Sequence, residues 1–264
     1  FRVDRSDPSL LITDPATSGS FVKLGDNLHV EGTASDIGGL DFVRVQLLLG
    51  AAVAATQDIP ASSLVGNVWA LDFTNPFASG GTYVIQATAY DLAGRTKEAT
   101  REISCDTTAP VVSFVTPYAS SVGQDYLIGS VTVSGKSTDA AMRTSYYNIG
   151  GTRAGDVVSG GVYGGWQEFA NAYNWSTEFD SLTYATPSYA TLLGGPNNNY
   201  WSLPVHVKAV DMAGNVSYGT LDILIDTDID KPTVVISAPN NGTTLGGSFM
   251  VSGGATDNNF IYKV

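Results

Sequence analysis

The stretch VEGTASD at residues 30–36 returns as VSGKSTD at 133–139 and as VSGGATD at 251–257. Each copy sets a Val, a Gly two residues on, and an Asp four after the Gly. Upstream of each lies a short apolar run between two prolines seven residues apart: Pro8 and Pro15, Pro110 and Pro117, Pro232 and Pro239. From the first proline to the Asp the distance is 28, 29 and 25 residues. Self-similarity at such a spacing marks a repeat architecture, in which each copy is one folding unit.

A second phrase occurs twice. IQATAYDLAGR at residues 85–95 matches VHVKAVDMAGN at 205–215. Each runs on into ISCDTTAP at 103–110 or ILIDTDIDKP at 223–232, and VDRSDP at 3–8 looks like the end of the same unit. The spacing therefore predicts the end strand of a preceding repeat or linker at residues 1–7, a first domain at 8–107 and a second at 108–229. Residues 230–264 read as the N-terminal part of a third, truncated domain. DNNFIYKV at 257–264 parallels DIGGLDFV at 36–43, so the third copy breaks off within a strand, as in a segment of a longer array.

Within each copy, apolar and polar residues alternate with period two. In YVIQATAYD, residues 83–91, Tyr83, Ile85, Ala87 and Ala89 oppose Val84, Gln86, Thr88 and Tyr90. That is the pattern of a half-buried strand. Among 264 residues there are 29 Gly, and only 14% are charged, which suits short strands joined by tight turns better than helices. About seven strands per 100 residues is the density of an immunoglobulin-like sandwich. The fold expected is all-β, with tandem immunoglobulin-like β-sandwiches. In the second copy a Gly- and aromatic-rich stretch, about residues 155–199, reads as an insert.

The net charge of −12 repels phosphate backbones and anionic lipid and attracts divalent cations. Nucleic acid is not an expected partner. A single cysteine, Cys105, allows no intrachain disulfide. No apolar run reaches the length of a membrane span.

The phrase D-x-A-G-N, the D-x-x-x-P that follows it and the G-x-x-x-D turn resemble the bacterial immunoglobulin-like (Big-type) repeats of large surface proteins and adhesins. The resemblance covers nearly all the chain except the 155–199 stretch. The first copy departs from the pattern, with Arg95 where the usual residue is Asn. The resemblance implies a non-enzymatic, extracellular stalk or adhesion module of a surface or secreted protein. Its implied partners are neighbouring repeats and a host or cell-surface protein or glycan.

An antiparallel sandwich reverses direction at every strand. The turns after its second and sixth strands therefore share the pole at which the chain enters. This parity gathers Asp4, Asp7, Asp36 and Asp91 in the first copy and Asp106, Asp139 and Asp211 in the second. The third copy contributes Asp226, Asp228, Asp230 and Asp257. Two readings stand open. Asp and Gly are ordinary turn formers, Asp bonding its own backbone and Gly adopting positive φ. Alternatively the carboxylates and turn carbonyls hold calcium, which takes six to eight oxygens. No cofactor is otherwise required.

Catalysis is poorly supported by the sequence. His29 and His206 each fall in a strand pattern, at positions expected to face solvent. No G-x-S-x-G nucleophile turn and no His/Cys cluster is present. The alternative reading is a carbohydrate-binding module in the 155–199 stretch, with Trp166, Tyr173, Trp175, Glu168 and Asp180 as the ligand set. Flat rings beside amides and carboxylates are the chemistry that holds sugars; the competing reading is a small extra aromatic core.

Overall fold

The computed structural model describes residues 4–117, 126–195, 198–227 and 233–256. The chain forms two compact units. One comprises residues 1–110, 139–143 and 210–217; the other comprises 111–138, 144–209 and 218–264.

The first sandwich is built from β1 (Ser9–Asp14), β2 (Ser20–Lys23), β3 (Leu28–Ser35), β4 (Leu40–Leu49), β5 (Ala52–Pro60), β6 (Val68–Phe73), β7 (Gly81–Asp91) and β8 (Thr96–Asp106). One sheet has the order β1-β3-β6 and the other β2-β8-β7-β4-β5. All pairings are antiparallel except that of β2 with β8. The opening segment thus divides between the sheets, β1 on one and β2 on the other, as in immunoglobulin-like domains. The alternation read from the sequence is the burial pattern: Tyr83, Ile85, Ala87 and Ala89 on β7 are wholly buried, as are Val43, Val45 and Leu47 on β4.

The second sandwich repeats this frame through β9 (Val111–Thr116), β10 (Ser130–Thr138), β11 (Met142–Ile149), β12 (Thr152–Ala154), β13 (Val157–Ser159), β14 (Gln167–Glu168), β15 (Asn174–Asp180), α1 (Ser181–Tyr184), β16 (Thr191–Gly194), β17 (Tyr200–Asp211) and β18 (Val216–Asp226). One sheet runs β15-β10-β9; the other runs β14-β11-β17-β16, with β18 also on β17. The sheets close over Val131, Val133, Ile149, Trp175, Leu203 and Val205.

The 155–199 stretch is therefore not a single insertion. It contains β15, which pairs with β10 over seven residues, Ser130↔Asp180 to Lys136↔Asn174, and occupies the place β6 holds in the first sandwich. The physical reason lies in Gly32 and Gly135. A Cβ at Gly32 would stand 2.2 Å from Trp69 Cζ2 and 2.1 Å from Leu11 O. A Cβ at Gly135 would stand 2.3 Å from Trp175 Cη2 and 2.2 Å from Ser113 O. Each glycine faces the core directly opposite the tryptophan, in the pairs Gly32↔Trp69 and Gly135↔Trp175. The repeated glycine is the floor on which the indole lies.

Residues 233–256 add β19 (Thr233–Ala238) and β20 (Ser252–Thr256), paired antiparallel. Val234, Ile236, Met250 and Val251 there are 61–82% exposed. Gly253 again approaches the facing strand, its Cβ position 2.1 Å from Val235 O. Among the described residues no helix is long and apolar enough to cross a membrane.

Candidate functional site

The strand phase that fills the core also delivers acids to it. On β7 the inward series Tyr83, Ile85, Ala87, Ala89 ends on Asp91; on β17 the series Leu203, Val205, Val207, Ala209 ends on Asp211. On β3 the inward residues Leu28, Val30, Gly32 and Ala34 lead, two residues further, to Asp36. Val131, Val133, Gly135 and Ser137 on β10 lead likewise to Asp139. Two three-carboxylate groups result, Asp4–Asp36–Asp91 and Asp106–Asp139–Asp211, each with one oxygen per residue lying within 4.8 Å of the others. All six residues belong to the same compact unit.

Each acid first serves its own turn. Asp4 Oδ1 accepts from Ser6 N at 2.9 Å and Ser6 Oγ at 2.7 Å, and Asp106 Oδ1 accepts from Thr108 N at 2.9 Å and Thr108 Oγ1 at 2.8 Å. Asp36 Oδ1 accepts from Gly38 N and Gly39 N; Asp139 Oδ1 accepts from Ala141 N. Asp91 Oδ1 accepts from Ala93 N and from Arg95 N at 2.7 Å, and Asp211 Oδ1 from Asn215 N at 2.8 Å. Gly94 and Gly214 supply the positive φ, +86° and +89°, that both turns require. The N–H and O–H of Ser6 hold the Asp4 carboxyl below the usual carboxylate range.

The two groups part at the second oxygen of the buried acid. Asn215 Nδ2 donates to Asp211 Oδ2 at 2.9 Å and to Asp106 O at 3.2 Å. Arg95, at the matching place, turns away and donates from Nη1 to Asp7 Oδ1 at 3.0 Å. Asp91 is 2% exposed, and its Oδ2 is buried with no hydrogen-bond partner. Asp4 Oδ2 lies over Gly38, where a Cβ would come within 1.7 Å of it, so only glycine admits the carboxylate there.

Of the other acids predicted for these poles, Asp7 and Asp226 stand outside the two groups. Asp7 is the exposed partner of Arg95. Asp226 ends β18 as Asp106 ends β8, yet it is buried and accepts from Asn199 Nδ2. Pro232 follows Asp226 by six positions, whereas Pro110 follows Asp106 by four. Asp228, Asp230 and Asp257 fall outside the described residues.

Of the five residues of the expected sugar platform, one is buried and four are exposed or half-buried. Trp175 is 2% exposed, stacked on Phe169 at 5.1 Å, with its Nε1 donating to Ser137 Oγ. Asp180 accepts from Leu182 N as the cap of α1, and Glu168 accepts from Thr144 Oγ1. Tyr173 is exposed. Trp166 is half-buried, its Nε1 donating to Asp156 O and its ring 6.1 Å from Tyr218. Lys208 Nζ pairs with Asp156 Oδ1 at 2.6 Å, and Arg153 stands 4.5 Å over Tyr218. These contacts fasten the strands after β11 onto the sheet, and Lys208 holds the Asp156 carboxyl below its usual range.

Two features escape a reading of the sequence. The spacing W-x-x-x-F, Trp69–Phe73 and Trp175–Phe179, marks β6 and β15 as the same strand and could have located it. His206, expected to face solvent, is 4% exposed, with Nδ1 3.0 Å from Thr220 Oγ1. The backbone of Gly150 and Gly151, where the chain leaves β11 beside β17, lies against its ring. Burial lowers its pKa from the ordinary imidazole value. His29 is exposed and pairs with Asp72.

The fold and turns define a tandem array of immunoglobulin-like β-sandwiches with acidic turns. No family model matches the chain. No curated protein matches it either. Among solved structures it is similar to the fibronectin(III)-like modules of Clostridium thermocellum CbhA, at 12% identity over 83% of this chain and 94% of that one, with a TM-score of 0.41. It is also similar to a tetra-tandem repeat from the extending region of a large adhesion protein, at 16% identity and a TM-score of 0.34, covering 84% of this chain and 50% of that one. Escherichia coli alpha-2-macroglobulin shares 7% identity over 88% of this chain and 15% of its own length, with a TM-score of 0.31. At such scores the likeness adds nothing to what the sheets themselves show.

Proposed function

We propose that this chain is a non-enzymatic repeat region of an extracellular bacterial surface or secreted protein, acting as a stalk or adhesion segment whose immediate partners are neighbouring repeats of the same kind. The observation that carries this reading is what the repeated residues do. Val30 and Val133 fill cores, Gly32 and Gly135 make room for an indole, and Asp36, Asp139, Asp91 and Asp211 close turns. The motif shared by the copies is thus a prescription for building one more sandwich, and a chain of sandwiches is a spacer. Of the residues of the glycan-binding alternative, Trp175 is taken into the core, while Trp166 is half-buried and Glu168, Tyr173 and Asp180 are exposed.

Two measurements test the reading. Pulled from its ends, a stalk segment should show separate unfolding events, each releasing roughly 300–400 Å of chain per 100-residue domain. In the source organism, the segment should be cleaved by protease added to intact cells. Protection from that protease in intact cells, with cleavage only after lysis, would sink the proposal.

A further inference from the structure

We propose that β19 and β20 form a docking edge for one further strand of the chemistry W-x-x-x-F, which pairs antiparallel with β20 and lays its indole on Gly253. The three copies of the repeat phrase build the same two-strand unit in the same register. Ile12 stands opposite Gly32, Leu10 opposite Ala34 and Ser9 opposite Ser35. Phe114 stands opposite Gly135, Val112 opposite Ser137 and Val111 opposite Thr138. Ile236 stands opposite Gly253, Val234 opposite Ala255 and Thr233 opposite Thr256. In all three the register shifts at the same step, immediately before the glycine.

The copies differ in what lies along the second edge of this unit. β3 takes β6 there, in the pairs Gly32↔Trp69, Val30↔Leu71 and Leu28↔Phe73. β10 takes β15, in the pairs Gly135↔Trp175, Val133↔Thr177 and Val131↔Phe179. Among the described residues β20 pairs with β19 alone. A Cβ at Gly32 or Gly135 would meet both a carbonyl and a tryptophan ring, whereas a Cβ at Gly253 would meet only the backbone of Val235 and Ile236. Burial follows the added strand. Leu28, Val30, Val131 and Val133 are 0–5% exposed, while Phe249 and Val251, at the matching positions, are 57% and 61% exposed. Strand addition satisfies both needs at once, since the ladder takes up the free edge and alternate side chains cover the apolar face. The shared register sets the residues that meet: the tryptophan opposite Gly253, and the phenylalanine four places on opposite Phe249. The W-x-x-x-F runs at 69–73 and 175–179 are held by β3 and β10. Trp166 and Trp201 have Ala170 and Val205 at the fourth place, so the docking strand is not among these 264 residues.

The test is titration of the 264-residue chain against a fluorescein-labelled peptide of residues 66–75, GNVWALDFTN, followed by fluorescence anisotropy. Saturable binding is expected, weakened at least about tenfold by Trp69→Ala in the peptide, because the ring is the anchor. In the chain, Val251→Asp and Phe249→Asp should weaken it to a similar degree. Both side chains are exposed, so neither change costs the chain a buried contact. Met250→Asp, on the opposite phase of the strand, should leave binding unchanged, which separates strand addition from general apolar adhesion. Amide hydrogen exchange over residues 252–256 should slow when the peptide is added. The proposal is overturned if no saturable binding occurs at millimolar peptide, if the Trp69→Ala peptide binds as well, or if Met250→Asp weakens binding as much as Val251→Asp. It is also overturned if the edge is met by a second copy of this chain, seen as a concentration-dependent dimer that Val251→Asp dissolves and the peptide does not.

Discussion

The two sandwiches share a frame and differ in what hangs from it. In the first, β6 and β7 are joined by the seven residues 74–80; in the second, β15 and β17 are separated by residues 181–199, which hold α1 and β16. Between the fourth strand of the frame and its tryptophan strand, the first has β5 and a short 3₁₀ turn, while the second has the β12–β13 hairpin and β14. Yet Gly32 and Gly135 approach their indoles alike, and Asp91 and Asp211 end matching inward stripes. The difference teaches which residues specify the domain. They are those that meet backbone or buried charge at contact distance, where a methyl group or a lost oxygen cannot be absorbed. The connections lie outside that contact and vary in length and composition.

The strongest challenge to this equivalence is to remove the tryptophan from each frame. Trp175→Ala and Trp69→Ala should each destabilise by about 3–5 kcal/mol, the usual cost of deleting a buried large ring. Denaturant unfolding followed by circular dichroism would measure both. A cost below about 1 kcal/mol for Trp175→Ala alone would return residue 175 to the status of a peripheral ring and break the parallel between β15 and β6.

The frame was legible where one residue type has one physical job. Period two placed the strands and their inward faces, and the parity of antiparallel strands placed Asp36 with Asp91 and Asp139 with Asp211. It was illegible where the job is set by a distant segment. Trp175 sits among Tyr163, Trp166, Phe169, Tyr173 and Phe179, and composition alone cannot say which ring faces Gly135. His206 follows the alternation of an outward residue. Its burial comes from neighbours distant in sequence, the Gly150–Gly151 backbone and Thr220. Asp226 kept its place at a strand end, but the Asn199 amide, from a distant segment, donates to its carboxylate.

The Arg95–Asn215 difference gives a reciprocal test of intermediate size. Asn215→Ala strips the amide from Asp211 Oδ2 and leaves a buried carboxylate oxygen bare, at a cost of about 1–3 kcal/mol. Arg95→Asn should do the reverse, offering an amide to Asp91 Oδ2 and stabilising the chain by roughly 1 kcal/mol, about the net worth of one hydrogen bond. Thermal melts in chelator would show the two changes with opposite signs. Equal and same-signed effects would mean that the two turns are not counterparts.

The smallest expected effect separates the two histidines. His206 is buried on β17 and its pKa is lowered by that burial, whereas His29 lies exposed on β3. A group with a depressed folded pKa binds its proton more readily in the unfolded chain. The unfolded state therefore gains protons first as the pH drops, and stability falls with it. The contribution is fully present above the unfolded imidazole value of about 6.5 and is lost as the pH falls from there through the lower folded value. Urea midpoints at a series of pH values on either side of 6.5 should decline on the acid side. His206→Gln, which cannot titrate, should flatten that part of the decline. A decline unchanged by His206→Gln would place the acid sensitivity in the carboxylates instead.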